Sequence, residues 1–173
     1  IKSRHLDDKA GVAVMLAVLQ ALASSHQLPA VRTSFFLSNY EEVGHGAAAG
    51  LPADLDELLV IDMAAATTGE HQNSDEHSVG ICAKDSSGPY DLALRRALTT
   101  LAETLGITHR IDTYPHYGSD GSALLRAGAD VRVGLIGPGV DASHAYERTH
   151  RESLLATARL ALAYVMSPLG FPH

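Results

Sequence analysis

Four acidic residues and one histidine in this sequence stand where predicted helices or strands begin or end. They are Asp7 at the start of a helix, Glu41 and Glu42 after one strand, Asp62 after a second strand, and His144 in a loop after a third. Carboxylates are rarely buried without a partner. Side chains of these types, gathered at one edge of a sheet, therefore predict a site for divalent cations.

The chemistry that such a set permits is hydrolysis at a pair of metal ions. Carboxylate oxygens with an imidazole suit zinc, cobalt or manganese. Two ions that share one carboxylate, for which Asp7 is the candidate, polarise a carbonyl and lower the pKa of a bridging water. Of two adjacent glutamates, one can hold metal while its neighbour takes the proton from that water.

Each of these residues also has an ordinary interpretation when taken alone. Asp7 could be a helix cap and Asp62 could start a turn. Glu41 and Glu42 could be solvated loop charges, and His144 could be a surface histidine. Only their combination favours the metal site.

The elements that must position these residues alternate along the chain. Apolar spacing and breakers predict helices at 6–25, 88–105, 119–128 and 151–166, a short helix at 44–50, and strands at 31–38, 57–62, 78–84, 110–114 and 131–136. Residues 67–76 are predicted to form a loop, and the glycines and proline at 137–139 to end the last strand. This order predicts an α/β fold, with a mostly parallel sheet flanked by helices on both faces. Ligands of such sheets bind outside the carboxyl ends of the strands.

Composition narrows the class of protein. The 173 residues fit one domain, and a formal charge of −7 argues against nucleic acid or an anionic membrane as a partner. Cys82 is the only cysteine, so the chain contains no internal disulfide. We expect a cytoplasmic protein.

Five short motifs resemble those of the M42 metallopeptidases, the glutamyl aminopeptidase and endoglucanase-like group, which share a catalytic fold with the M28 and M20 co-catalytic metal hydrolases. The motifs are Leu6-Asp7-Asp8-Lys9-Ala10-Gly11, Glu41-Glu42-Val43-Gly44, Ile61-Asp62, Gly118-Ser119-Asp120 and Ser143-His144. The resemblance implies a zinc aminopeptidase (phosphorylase/hydrolase-like) fold. It also implies two divalent ions, with zinc or cobalt expected.

The resemblance further assigns roles to individual residues. Asp7 would bridge the two ions, Glu42 and His144 would complete one site, Asp62 would belong to the other, and Glu41 would be the general base. Three further residues would lie close behind the ligands: Asp8, whose peptide bond to Asp7 is expected to be cis, Asp120, and His5. His5 is also a possible substitute ligand, although a histidine that lines the pocket or lies in solvent is the ordinary interpretation.

Two family features have no counterpart in these 173 residues. One is an upstream strand with a His-x-Asp pair, which would supply the remaining ligand. The other is an inserted β-domain used for oligomer assembly. We therefore expect residues 1–173 to be a single catalytic-domain fragment, truncated at the N-terminus, with at most one metal site complete in protein ligands. The parent protein is expected to be a homo-oligomer.

The function expected is that of a metal-dependent aminopeptidase, acting on a peptide or on an N-acyl small molecule. Two alternatives remain open from the sequence. The chain could be a non-catalytic fragment or assembly subunit that retains the fold. It could also be a related metal-dependent deacylase or carboxypeptidase, because substrate specificity is decided by pocket residues.

Overall fold

The structure, a computed structural model, describes residues 1–66 and 72–167. In chain order its elements are β1 (Lys2–Ser3), α1 (Leu6–Ser25), β2 (Glu57–Ile61), β3 (Ala64–Ala65), β4 (Val79–Asp85), β5 (Gly88–Pro89), α2 (Leu92–Thr104), β6 (His109–Tyr114), α3 (Asp120–Arg126), β7 (Arg132–Val140), β8 (Glu147–Arg148) and α4 (Arg151–Met166). Two short 3-10 helices, Glu41–Val43 and Gly46–Ala48, lie between α1 and β2. None of the described helices is long and apolar enough to cross a lipid bilayer.

Strand β7 lies inside a mixed sheet. It pairs in parallel with β2 and β3 and antiparallel with β4, and β4 in turn pairs with β5 and β6. Asp62 and His144 therefore follow the carboxyl ends of two parallel neighbours, β2 and β7, at one edge of the sheet. The predicted α/β fold, with a mixed sheet flanked by helices, is confirmed.

The two faces of the sheet have separate cores. On one face, α1, α2 and α4 pack against the sheet through buried residues that include Val18, Leu98, Leu160 and Ile136. On the other face, α3 lies close to β2 and β7. Because helices cover both faces, the sheet is packed on each side. The carboxyl ends of β2 and β7 are therefore held side by side at one edge.

The strand predicted at 31–38 is wrong. These residues form no strand, although they line a cleft of about 710 Å³ together with parts of α1 and β2. Strand β2 lies at the end of the sheet and has β7 as its only partner among the described residues. An apolar sequence becomes a strand only when another strand lies beside it, and no described strand pairs with 31–38.

The predicted break at 137–139 is also wrong, because β7 continues through these residues to Val140. Gly137 is required there, since an added Cβ would overlap the backbone carbonyl oxygen of Asp62. The helix predicted from residue 88 begins later: Gly88 and Pro89 form β5, and α2 begins at Leu92, where the Asp91 side chain accepts a hydrogen bond from the Leu94 N–H (2.7 Å). Part of the predicted 67–76 loop, and Pro168 beyond the last helix, lie outside the described residues.

Replacing Gly137 by alanine is expected to destabilise the protein by about 3 kcal/mol, since the overlap involves backbone rather than a movable side chain. The strand pair β2–β7 must separate to admit the methyl group, which also moves Asp62. Urea unfolding measures the effect, and Gly118→Ala is the matched control because its Cβ would meet only Ser86 Oγ at 3.9 Å. Equal stability of the two variants would contradict the expectation.

Candidate metal centre

Pairing of two short strands brings the N-terminal residues beside the loop that carries His144. Strand β1 pairs antiparallel with β8, so that Ser3 faces Glu147. Two backbone hydrogen bonds between Asp141 and Arg148 close the loop between them. Residues from opposite ends of the chain thus meet at the carboxyl end of β7.

The first group of possible ligands consists of Asp7, Glu42 and His144. His144 Nε2 lies 3.0 Å from a carboxylate oxygen of Glu42 and 3.4 Å from Asp7 Oδ2. Ser143 Oγ donates a hydrogen bond to the same Asp7 oxygen at 2.7 Å. The Asp7 side chain is 6% exposed, whereas those of His144 and Glu42 are 63% and 53% exposed. The group is therefore buried at Asp7 and open to solvent at His144 and Glu42.

Glu147 holds the backbone of this group in place and was not predicted from the sequence. Its carboxylate is buried and accepts hydrogen bonds from two backbone groups, the Asp7 N–H at 3.1 Å and the His144 N–H at 3.2 Å. One carboxylate therefore holds together the two segments that carry the possible ligands Asp7 and His144. Its sequence context, Tyr146-Glu147-Arg148, is that of a surface charge.

The second group consists of Asp7, Asp8 and Asp62, each of which offers an oxygen within 4.8 Å of the others. Asp62 Oδ1 accepts a hydrogen bond from the Met63 N–H at 2.7 Å, and Asp8 Oδ1 accepts one from the Gly11 N–H at 3.2 Å. The Asp7–Asp8 peptide bond is cis. Asp8 is expected behind the ligands, and its carboxylate lies in the same group of possible ligands as Asp7 and Asp62.

Glu41 and Glu42 lie in the first 3-10 helix, after the extended segment. Both line a pocket of about 340 Å³ that also contains Asp7, Asp62 and His144. The five residues singled out in the sequence therefore share one cavity. His116 and Tyr117 line the same cavity.

Several carboxyl groups of this cavity have raised pKa values, because they are buried and repel one another. Burial, followed by repulsion from Asp120, Glu42 and Asp7, raises the pKa of Glu41 to about 7. Burial also raises the pKa of Asp7, against the hydrogen bond from Ser143 and the nearby His144.

The other two aspartates show the same effect more strongly. The pKa of Asp62 lies well above its ordinary value because of burial and the nearby Glu41 and Asp7. The pKa of Asp8 is raised by burial and then by Asp62 and Asp7. No lysine or arginine forms an ion pair with these carboxylates among the described residues. A carboxylate-rich set with one imidazole and no paired cation fits divalent metal ions.

Asp120 and His5 lie apart from both ligand groups. Asp120 Oδ1 accepts a hydrogen bond from the Ala47 N–H at 3.0 Å, next to Gly46, where an added Cβ would overlap the Asp120 carboxylate. Asp120 thus fixes the second 3-10 helix. His5 is exposed and precedes α1 in a left-handed conformation, and it belongs to neither group that the described residues form.

Comparison with known proteins identifies the family. The family model described as M42 glutamyl aminopeptidase matches residues 1–160. The chain belongs to the M42 family. This M42 chain is 50% identical over 170 residues to "Putative aminopeptidase YhfE" of Bacillus subtilis (strain 168), a match that covers 98% of the chain and 48% of YhfE.

Solved structures share the M42 fold of this chain at lower identity. The TET aminopeptidase of the marine sediment archaeon Thaumarchaeota archaeon SCGC AB-539-E09 superposes with a TM-score of 0.89 at 16% identity, over 96% of this chain and 49% of that one. The TET1 peptidase of Pyrococcus horikoshii gives 0.83 at 24% identity, over 96% and 50%. The chain therefore spans about half the length of the relatives that it matches.

Replacing Glu147 by alanine is expected to destabilise the protein by about 2–5 kcal/mol, because the buried Asp7 N–H and the partly buried His144 N–H lose their acceptor. Metal affinity should fall as well, since the ligand-bearing segments move apart. Chemical denaturation and metal titration measure the two effects, and the control is Glu103→Ala, which removes an exposed carboxylate from α2. The role of Glu147 would be refuted by a variant as stable and as metal-competent as this control.

Proposed function

We propose that the protein containing this chain is a metal-dependent aminopeptidase. The observation that carries the proposal is the convergence of Asp7, Glu42 and His144 on one point, beside the acidic group of Asp7, Asp8 and Asp62. Membership of the M42 family supports the same activity. The sequence alternative, a non-catalytic assembly subunit, is not favoured, because the residues of the site are present and close together.

Each residue of the site has a separate role in this proposal. Asp7, Glu42 and His144 would hold one ion, and Asp7 with Asp62 and Asp8 would hold the other. Bound divalent ions supply Lewis acidity toward the substrate carbonyl and lower the pKa of water. Glu41, free of any metal-holding role, accepts the proton of the attacking water and passes it to the leaving amine.

Zinc or cobalt is the expected ion, since imidazole takes part in the first group. The second group holds only carboxylates among the described residues, and it faces the cleft lined by residues 31–38 and β2. Among the described residues, one edge of β2 beside that cleft has no partner strand. This supports the proposal that a strand from outside these 173 residues pairs with β2 here. Such a strand would carry the remaining ligand.

Assembly into an oligomer is part of the same proposal. The Pyrococcus horikoshii TET1 peptidase, which has the same fold, is described as assembling into a tetrahedron or a large octahedral shell. The net charge of −7 favours a protein that binds neither nucleic acid nor an anionic membrane, and a cytoplasmic location accords with the single cysteine.

The experiment that tests the activity compares free with blocked substrates. The full-length protein is assayed on aminoacyl chromogenic amides, on the same compounds with an acetylated amino group, and on peptides with blocked C-termini. An aminopeptidase hydrolyses only substrates with a free amino group, and a blocked C-terminus does not matter. Preferred hydrolysis of acetylated substrates would instead support the deacylase alternative. Hydrolysis that requires a free C-terminus would support the carboxypeptidase alternative.

Added zinc or cobalt is expected to stabilise the folded protein. The bound ion neutralises buried carboxylates whose mutual repulsion destabilises the metal-free fold. At an ion concentration of 100 times the dissociation constant, the gain is about 2.7 kcal/mol. Thermal melting with and without ion, followed by removal with EDTA, measures it. An unchanged melting temperature at saturating ion would count against a metal centre here.

A further inference from the structure

A second cluster of metal-ligating side chains lies on the surface, outside the pocket described above. It consists of His77, in the segment before β4, and of His150 and Glu152 at the start of α4. His77 Nδ1 lies 3.0 Å from Glu152 Oε2, and His150 Nδ1 lies 3.6 Å from the same oxygen. The two imidazole rings face each other with centroids 4.4 Å apart and an interplanar angle of 42°.

The backbone that carries these side chains is held by buried hydrogen bonds. Ser153, which is fully buried, donates from Oγ to the Ser78 carbonyl at 2.5 Å and accepts from the Gly139 N–H at 2.7 Å. It thereby ties the residue after His77 to the first turn of α4. The His77 N–H donates to Asp75 Oδ1 at 2.8 Å. The backbone at the three residues is therefore held by contacts that need no bound ion.

The three side chains lie close enough together to bind one transition-metal ion. Metal–ligand bonds to imidazole nitrogen and carboxylate oxygen are about 2.0–2.2 Å, which places ligand atoms about 3.3–3.6 Å apart. The 3.6 Å separation lies within that range, and one atom of each residue lies within 4.8 Å of the other two. The 3.0 Å separation is shorter, because His77 and Glu152 form a hydrogen bond that a bound ion would replace. Two nitrogens and one oxygen select zinc-class ions over magnesium or calcium, which prefer oxygen ligands.

We propose that His77, His150 and Glu152 bind a zinc-class transition-metal ion, distinct from the ions of the candidate metal centre. Three protein ligands leave the fourth position to a water molecule. The side chains are 47–63% exposed, so the ion enters directly from solvent. Once bound, it fastens the segment before β4 to the first turn of α4.

The test counts zinc ions in the full-length protein and its variants. Equilibrium dialysis against zinc with elemental analysis is performed on the unaltered protein, on His77→Ala and on His150→Asn. Without an ion, His150 Nδ1 accepts the Glu152 N–H at 3.3 Å, and this nitrogen must give up that hydrogen bond to bind metal. Asparagine keeps a capping acceptor at the start of α4. His26→Asn is the control: His26 is an exposed histidine at the end of α1, in a left-handed conformation that asparagine tolerates.

Each cluster variant should bind one zinc ion fewer than the control, or bind that ion with affinity reduced about tenfold or more. A second readout uses copper in an Asp7→Asn background, where the candidate metal centre is weakened. Electron paramagnetic resonance should show coupling to two imidazole nitrogens, reduced to one in His77→Ala. The inference is overturned if either cluster variant keeps the zinc count and affinity of the His26→Asn control.

Discussion

Replacing Glu41 by glutamine in the full-length protein is expected to lower kcat by about 100- to 10,000-fold, the range associated with loss of a general base. Glutamine has nearly the same shape as glutamate but does not accept a proton from water. Glu41 belongs to neither ligand group of the described residues. The variant should therefore keep its bound metal, which elemental analysis of the purified protein measures alongside the rate.

Glu103→Gln is the matched control for this substitution. It makes the same chemical change at an exposed position on α2, and it should leave both rate and metal content unchanged. A Glu41→Gln variant that has lost its metal would show that Glu41 is a ligand. One that retains full activity would show that another residue takes the proton.

Replacing Asp7 by asparagine is expected to have the largest effect on metal binding, because Asp7 is the only residue shared by the two ligand groups. Asparagine offers a neutral amide in place of a carboxylate. It can still accept the hydrogen bond from Ser143 Oγ. We expect metal affinity to fall by about 100-fold or more, a larger loss than removal of a residue that only hydrogen-bonds to a ligand causes. We also expect activity to be lost.

Titration with zinc, followed by calorimetry and by the activity assay, measures this change. Asp130→Asn, at an exposed position before β7, is the control. Relief of repulsion among the acidic residues should make the metal-free Asp7→Asn variant at least as stable as the unaltered protein. Unchanged metal affinity would remove Asp7 from the site.

Elements with strong local signals could be predicted from the sequence. Helix α1 has the predicted bounds Leu6–Ser25 and α4 the predicted bounds Arg151–Met166, because apolar spacing defines each locally. Ser119 caps α3 as predicted, accepting the Gly121 N–H at 3.1 Å. Strand β2 also lies where its apolar run placed it.

Predictions that depended on a distant partner were the ones that failed. Residues 31–38 have the composition of a strand, but no described strand pairs with them. In β7 the sequence Gly137-Pro138-Gly139 predicts a break. Its glycines instead admit the close approach of other backbone segments, the carbonyl oxygens of Asp62 and Asp75. Close approach depends on tertiary structure, which local sequence does not reveal.

The same reasoning explains what was missed in the site. Nothing near Glu147 in the sequence marks it as buried, because burial arises from the pairing of β1 with β8. Asp8 was expected behind the ligands, whereas its carboxylate lies beside Asp62. The five candidate residues could be selected from the sequence because strand ends and adjacent glutamates are local features.

The central claim is that side chains from four separate segments hold metal at one edge of the sheet. Anomalous scattering at the zinc absorption edge, from crystals of the protein grown with zinc, tests it most directly. The account predicts a peak about 2.0–2.2 Å from oxygens of Asp7 and Glu42 and from His144 Nε2. A zinc-saturated crystal with no anomalous peak within coordinating distance of these three atoms would contradict it.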